Sequence, residues 1–196
     1  MSPPRYSARE LSQETWNDFD RFFRKPGEWS SCQCMWFHRQ GPRPKEDEAL
    51  TSKGRNEKNF REQKNLVKSG RSHGMLVYLD DDPVGWCQYG PGEEFPRIDN
   101  AARYRGIPAA SEGKRLWRIT CFCVDKRQRR RGIAKFGLRA AMDSIRKKGG
   151  GTVEAYPSTR NEGLALHRGT ASMFKEAGFE VVGPLGPNNF VVRKKV

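Results

Sequence analysis

A chain of 196 residues has room for one α/β domain with a proper core, and two full domains would be cramped. Hydrophobic residues make up 35% and aromatics 11%, low but adequate for a core, while the excess of 37 Lys and Arg over 23 Asp and Glu gives +14 and favours anionic partners without identifying one. No run of about 18 apolar residues occurs, and the amino-terminal MSPPRYSAREL lacks the apolar centre of a secretory signal, so a soluble cytoplasmic protein is expected and a membrane partner is not.

Leu11, Trp16, Phe19, Phe22 and Phe23 recur at helical spacing behind a Ser12 cap, which predicts a first helix over Ser12–Phe23. Cys32–Phe37 is a short apolar run of open state, and Gly41–Gly54 reads as a charged, proline-bearing loop. A second, weakly amphipathic helix is expected over about Arg55–Val67. The period then changes: Met75–Leu79 and Val84–Tyr89 flank Asp80-Asp-Asp-Pro83, a hairpin signature. A long irregular segment, about 90–115, carries Pro91, Pro96 and Pro108. Trp117–Val124 follows as a buried strand, Ile133–Lys147 as a helix, Thr152–Tyr156 as a strand, Thr170–Ala177 as a helix, and Phe179–Val182 with Phe190–Val192 as a closing hairpin. Antiparallel strands first, then strand, helix, strand, helix, strand, make a mixed sheet the expectation. The organisation expected is a single domain over 1–196 with a helical and loop extension at about 1–74.

Between Val124 and Ala134 the chain reads VDKRQRRRGIA, with five cations in the six positions Lys126–Arg131 and a glycine directly after them. The run starts where a strand ends, and Ala134 onward continues at helical spacing. A strand turning through Gly132 into a helix leaves first-turn N–H groups unpaired at the positive end of the helix dipole, which makes an anion site out of backbone. Gly132 lets the backbone approach a ligand closely, and Ala134 keeps the next position small. Lys126, Arg127 and Arg130 read equally well as contacts or as a solvated basic turn. Nucleic-acid binding, as a basic or ribosome-associated module, ranks second, because the run has no interleaved aromatic before Phe136.

Val124 followed by Arg129-Arg-Arg-Gly132-Ile-Ala134 resembles the acetyl-CoA pyrophosphate loop of the GNAT N-acetyltransferase superfamily, Arg/Gln-x-x-Gly-x-Gly/Ala after an apolar strand. Downstream, His167-Arg-Gly-Thr-Ala-Ser-Met173-Phe174-Lys-Glu-Ala-Gly178-Phe179 is similar to the same family's Asn-x-x-Ala-x-x-Leu-Tyr-x-x-x-Gly-Phe. In element order the resemblance covers roughly Met75–Val192. It implies the GNAT acyl-CoA N-acyltransferase fold, an α/β (α+β) class with a central mixed, mostly antiparallel sheet flanked by helices, and direct attack of an amine on acetyl-CoA. It also implies that backbone from Arg129, Arg130 and Arg131 through Gly132, Ile133, Ala134 and Lys135 cradles the pyrophosphate, and that main chain at Phe122, Cys123 and Val124 pairs with the pantetheine arm. A CoA-binding sensor of the same fold is a further reading.

A lysine-like amine costs about 4–5 kcal/mol to deprotonate at neutral pH, so a base is needed. Glu93 and Glu94, after the Val84–Tyr89 strand, and Glu154, on the Thr152–Tyr156 strand, are the carboxylate candidates. Adjacent Glu93 and Glu94 should point different ways, and Glu93 is preferred. The family's acidic tyrosine falls on Phe174, which has no proton to give, so Tyr156 and His167 are the replacement candidates. Each also has a plain reading, Tyr156 as core and His167 as a helix cap.

Five cysteines, an odd number, do not make a disulfide framework and fit a reducing compartment. Cys32/Cys34 and Cys121/Cys123 would together form a four-thiolate zinc set. The Cys-x-Cys spacing and the burial expected of the second pair argue against it, so no metal is expected. Trp36, Phe37, His38, Trp86 and Trp117 are candidates for an acceptor pocket or for core. The acceptor expected is a small-molecule or peptide amine, and a homodimer stays open.

Overall fold

The computed structural model describes residues 6–25, 34–41, 44–110, 115–160 and 167–196. A seven-stranded sheet runs through them in the order β1-β2-β3-β4-β5-β7-β6. Strand β1, Tyr6–Glu10, pairs antiparallel with β2, Gly74–Leu79, so the segment expected to be only helix and loop contributes an edge strand. Its inward side is carried by Tyr6, Ala8 and Glu10, too little apolar alternation to read from sequence.

Helix α1 spans Trp16–Arg24 and begins later than expected, because Ser12 does not cap it. The Ser12 N–H donates to Thr15 Oγ1 at 2.9 Å and the Thr15 hydroxyl donates to Glu10 O at 2.7 Å, closing a turn ahead of the helix. Trp16, Phe19, Phe22 and Phe23 are buried as the spacing predicts, and Phe19 meets Trp86 edge-on at 5.0 Å. At about 1.5–3 kcal/mol for each buried large apolar side chain, this face anchors the helix to the sheet. The expected loop over Gly41–Gly54 contains a short helix, α2, Lys45–Glu48, and the start of α3, Ser52–Lys68, capped by Thr51. The weak amphipathicity of α3 has a cause: its buried face includes Asn59 and Gln63, the latter donating to Ser72 Oγ at 2.9 Å.

The β2 hairpin partner is β3, Asp82–Pro91, with Asp80 taking the left-handed turn conformation at φ 54°. The long segment after it is less irregular than its prolines suggest, with 3-10 turns at Gly92–Glu94 and Ala102–Gly106 around a helical turn, α4, at Pro96–Asp99. Strand β4, Leu116–Val124, is antiparallel to β3 and parallel to β5, Thr152–Ala155, and helix α5, Ile133–Lys147, connects the two. Gly137 lets α5 lie close on the sheet, since a Cβ there would stand 3.3 Å from Val77 and 3.4 Å from Cys87. Helix α6, Ala171–Glu176, is capped by Thr170 and leads to the hairpin of β6, Glu180–Pro184, and β7, Phe190–Lys195. β7 inserts between β5 and β6.

The core has two principal layers. On one sheet face α5 and α6 cover Cys87, Tyr89, Trp117, Ile119, Phe122 and Val153. On the other, α1 and α3 cover Leu76, Tyr78, Trp86, Cys121 and Cys123. Among the described residues no helix is long and apolar enough to cross a membrane.

Candidate active site

The parallel pairing of β4 with β5 stops at Ile119↔Ala155, while β4 runs on to Val124. Its other edge stays paired to β3 as far as Gly85↔Val124, with Thr120 left over as a bulge between Gln88↔Cys121 and Tyr89↔Ile119. Beyond Ala155 the chain leaves β4, and Ser158 forms bridges to Thr170 and Asn189 instead. The two strands therefore splay, and among the described residues no strand pairs with the β5 side of β4 at Phe122, Cys123 and Val124, an edge suited to one more extended chain.

At the end of that edge lies the arginine loop. Asp125 organises it: its carboxylate accepts from the Arg127 N–H at 3.0 Å and from the Arg127 guanidinium at 2.9 Å, and that guanidinium holds the Asp125 carboxyl below the usual range. Arg127 is thus spent on the loop itself, the plain reading of that residue. Arg130 sits at φ 62°, a left-handed conformation that costs a non-glycine residue roughly 1–2 kcal/mol, and Gly132 follows at φ 80°. A Cβ on Gly132 would meet no atom within 4 Å, so the turn faces open space. Phe136 N–H bonds to Gly132 O, and by helix geometry the N–H groups of Ile133, Ala134 and Lys135 find no acceptor within α5. They stand beside that space, at the positive end of a fifteen-residue helix. Tyr6 steadies the loop from β1, its ring 5.7 Å from Phe136 and its hydroxyl donating to Arg131 O at 3.4 Å. Lys135 pairs with Glu176 at 2.5 Å.

The catalytic candidates do not gather at one point. Tyr156 is buried, and its hydroxyl donates to Glu154 Oε1 at 2.5 Å. Burial, with the neighbouring carboxylate second, pushes the phenol well above its usual range, so its proton is held tightly. Glu154 is fully buried and also accepts from Tyr104 at 2.8 Å and Arg193 at 2.7 Å, beside an Arg118 that pairs with Asp99. This is a closed polar cluster under α4. Glu93 and Glu94 differ in environment yet face one cavity, so the expected divergence does not separate them. Glu94 turns inward to His73 Nδ1 at 2.8 Å, while Glu93 is exposed, and both line a cavity of about 720 Å³ with His38, His73 and Trp117. This cavity lies at the start of β4, and Trp117 to Val124 spans about 23 Å at the usual strand rise, so Glu93 and the arginine loop stand at opposite ends of one strand. His167 lies beside the splay, with Nδ1 at 4.0 Å from Cys123 Sγ. Phe174 is fully buried against Phe122 and Phe179.

Of the five candidate pocket aromatics, Trp86 is core, Trp117 is buried with one side on the cavity, and Trp36 is exposed under Arg97. His38 is the member that sequence reasoning undervalued. Its Nε2 lies 3.1 Å from Gln88 Nε2, its ring lies 5.0 Å from that of Phe95, and burial pulls its pKa down to about 4. A lone histidine in an irregular segment carries no signal of this. Because the folded pKa lies below the ordinary value near 6.5, His38 contributes stability that is fully present above that value and lost as pH falls towards 4. Urea midpoints should therefore drop between about pH 6.5 and 4, and His38→Phe should flatten that part of the profile; an unchanged slope in the variant would remove His38 as its source.

A model of the acetyltransferase (GNAT) family matches residues 13–169. The chain belongs to the acetyltransferase (GNAT) family. Similar solved structures include an acetyltransferase from Thermus thermophilus, 14% identical over 100% of both chains with a TM-score of 0.55. A GNAT-family acetyltransferase from Desulfovibrio desulfuricans is 16% identical over 97% of this chain and 99% of its own, TM-score 0.54. The paia N-acetyltransferase of Thermoplasma acidophilum, solved in complex with coenzyme A, is 14% identical over 98% and 99%, TM-score 0.54. At these identities the likeness is one of fold. No curated protein matches the chain. This GNAT acetyltransferase is accordingly an acyltransferase, with the mixed, mostly antiparallel sheet that its two motifs implied.

Proposed function

We propose that this GNAT protein transfers the acetyl group of acetyl-CoA directly to an amine, with the loop from Arg129 to Lys135 as its pyrophosphate cradle and the β4 edge at Phe122, Cys123 and Val124 as the track for the pantetheine arm. The observation that carries the reading is Gly132: left-handed backbone with open space in front of it, at the start of α5 where the first-turn N–H groups have no acceptor within the helix. Such a cradle suits a diphosphate, and the splay supplies the extended backbone edge that an amide-bearing arm needs.

An arm laid along β4 from Val124 brings its thioester to the bulge at Thr120, and the 720 Å³ cavity opens about 10 Å further along the strand, a natural approach for the acceptor. The amine nitrogen attacks the thioester carbonyl carbon, the C–S bond breaks, and the amine proton passes through water to a cavity carboxylate, because the cavity opens about 10 Å from Thr120. Glu93 is assigned as that base because Glu94 is engaged with His73 and Glu154 with three donors. No dedicated acid is assigned. A thiolate with a pKa near 8.5 leaves with modest help and takes its proton from water, and Tyr156 holds its own proton too tightly to serve.

Calorimetric titration with acetyl-CoA, then an amine panel followed by thiol release, tests the reading. Acetyl-CoA that fails to bind sinks it, and submicromolar nucleic-acid binding at physiological salt that ignores acetyl-CoA would favour the basic-module alternative. With an acceptor in hand, Glu93→Gln should lower turnover on the order of 10²-fold, while Phe174→Tyr leaves acetyl-CoA affinity intact. A pH–rate profile of Glu93→Gln with an unchanged acidic limb would transfer the base role to the His73–Glu94 pair.

A further inference from the structure

Three thiols from two distant segments meet on the sheet face opposite α5. The sulfurs of Cys34, Cys121 and Cys123 lie within 4.8 Å of one another, and all three residues are buried. Cys121 and Cys123 alternate along β4 and so share its face, as the Cys-x-Cys spacing requires, while Cys34 comes from the turn beyond α1. From these groups we infer a tetrahedral zinc site made by Cys34, Cys121 and Cys123, with His167 as the fourth ligand. This departs from the expectation of no metal, which rested on the Cys-x-Cys spacing and on burial of the second pair; Cys32, the fourth thiol of that set, lies outside the described residues.

The distances fit a metal better than a disulfide. Zinc–sulfur bonds of about 2.3 Å at the tetrahedral angle place two sulfurs about 3.8 Å apart. Cys121 Sγ and Cys123 Sγ are 3.8 Å apart. A disulfide needs about 2.05 Å, and alternate residues of a strand, with Cα atoms about 6.7 Å apart, stand at the outer limit of what one can bridge. His167 Nδ1 lies 4.0 Å from Cys123 Sγ but more than 4.8 Å from at least one of the other two sulfurs, so closing the fourth position requires the imidazole to move in.

The surroundings are those of a thiolate cluster. Cys34 holds φ 58°, a conformation unfavourable for a side chain with a Cβ, and Gln88 Nε2 fixes it by donating to Cys34 O at 2.9 Å. The Trp86 indole N–H donates to Cys34 Sγ at 3.1 Å, the kind of outer contact that orients and tunes a metal-bound sulfur. On binding, three thiols release three protons, and Zn²⁺ with three thiolates and a neutral imidazole carries one net negative charge. Arg168, half-buried and next to His167 in the chain, is a nearby cation to balance it. The site would tie together the turn after α1, the β4 edge and the segment entering α6.

The test begins with protein purified under reducing conditions without chelator. About one zinc per chain is expected, with Cys121→Ser and Cys123→Ser each lowering zinc affinity by at least ~10²-fold and His167→Ala by about tenfold. Cys87→Ser, which removes a buried thiol on the opposite sheet face, should leave zinc binding unchanged. Should the cysteine variants fail to fold, titration of chelator-treated parent protein with Co²⁺ decides the matter: a thiolate-to-cobalt absorption band that added Zn²⁺ abolishes supports the site. A folded chain that gives no such band overturns it. So does a disulfide joining Cys34 to Cys121 or Cys123 in protein alkylated at the moment of lysis.

Discussion

Gly132→Val should weaken acetyl-CoA binding on the order of 10²-fold or more while the protein stays folded. Two effects act together. At φ 80° a β-branched residue is strained by roughly 1–3 kcal/mol, and the backbone relieves that strain by rotating the very N–H groups that face the anion. The side chain would also fill the open space in front of the turn, where nothing now lies within 4 Å of a Cβ. Losing two charge-assisted backbone hydrogen bonds at about 1.5–3 kcal/mol each is enough for the expected change. Gly132→Ala, smaller but equally left-handed, should fall between the two. Calorimetry at fixed ionic strength, alongside a thermal melt, makes the comparison. A folded Gly132→Val protein with parental affinity would remove this loop from the cofactor site.

Glu154→Gln is expected to cost stability first, by about 3–5 kcal/mol, and activity only as a consequence. Glu154 is fully buried, and its two oxygens serve Tyr156, Tyr104 and Arg193, with Arg118 Nε at 3.9 Å. The cluster contains two cations and, counting Asp99, two anions. Glutamine keeps a carbonyl for one tyrosine, turns an N–H₂ group towards another donor, and leaves the partly buried Arg193 guanidinium without its counter-charge. Replacing Arg193 with Met in the Glu154→Gln background should recover part of the loss, because the cluster is then neutral again. Urea unfolding of the single and double variants measures this. A Glu154→Gln protein of unchanged stability but lost turnover would return Glu154 to the list of bases.

The stretch from β4 through α5 was legible because local signals agree there: an apolar strand, a glycine with a reason to be left-handed, then helical spacing from Ile133. The fold class followed from element order and two motifs. β1 was not legible, since Tyr6 and Ala8 make too weak an alternation and the strand exists only through its pairing with β2. The short helices after β3 were hidden by prolines, one of which starts α4. The Glu154 cluster depends on the parallel register that sets Arg118 opposite Glu154, a tertiary fact. The thiol group was half legible, because the spacing put Cys121 and Cys123 on one face but could not say that Cys34 packs over them.

The position of β7 bears on how the protein is made. β7 is synthesised after both β5 and β6, yet it sits between them in the sheet. Until Phe190–Lys195 has left the ribosome, the edge of β5 that faces β7 has no partner, and β6 cannot join the sheet at all. A nascent chain would thus present an open, apolar sheet edge late in translation, a state prone to pairing with other chains. Ribosome-stalled chains ending before residue 190 should be captured by holdase chaperones far more than chains extended beyond 196 by a linker.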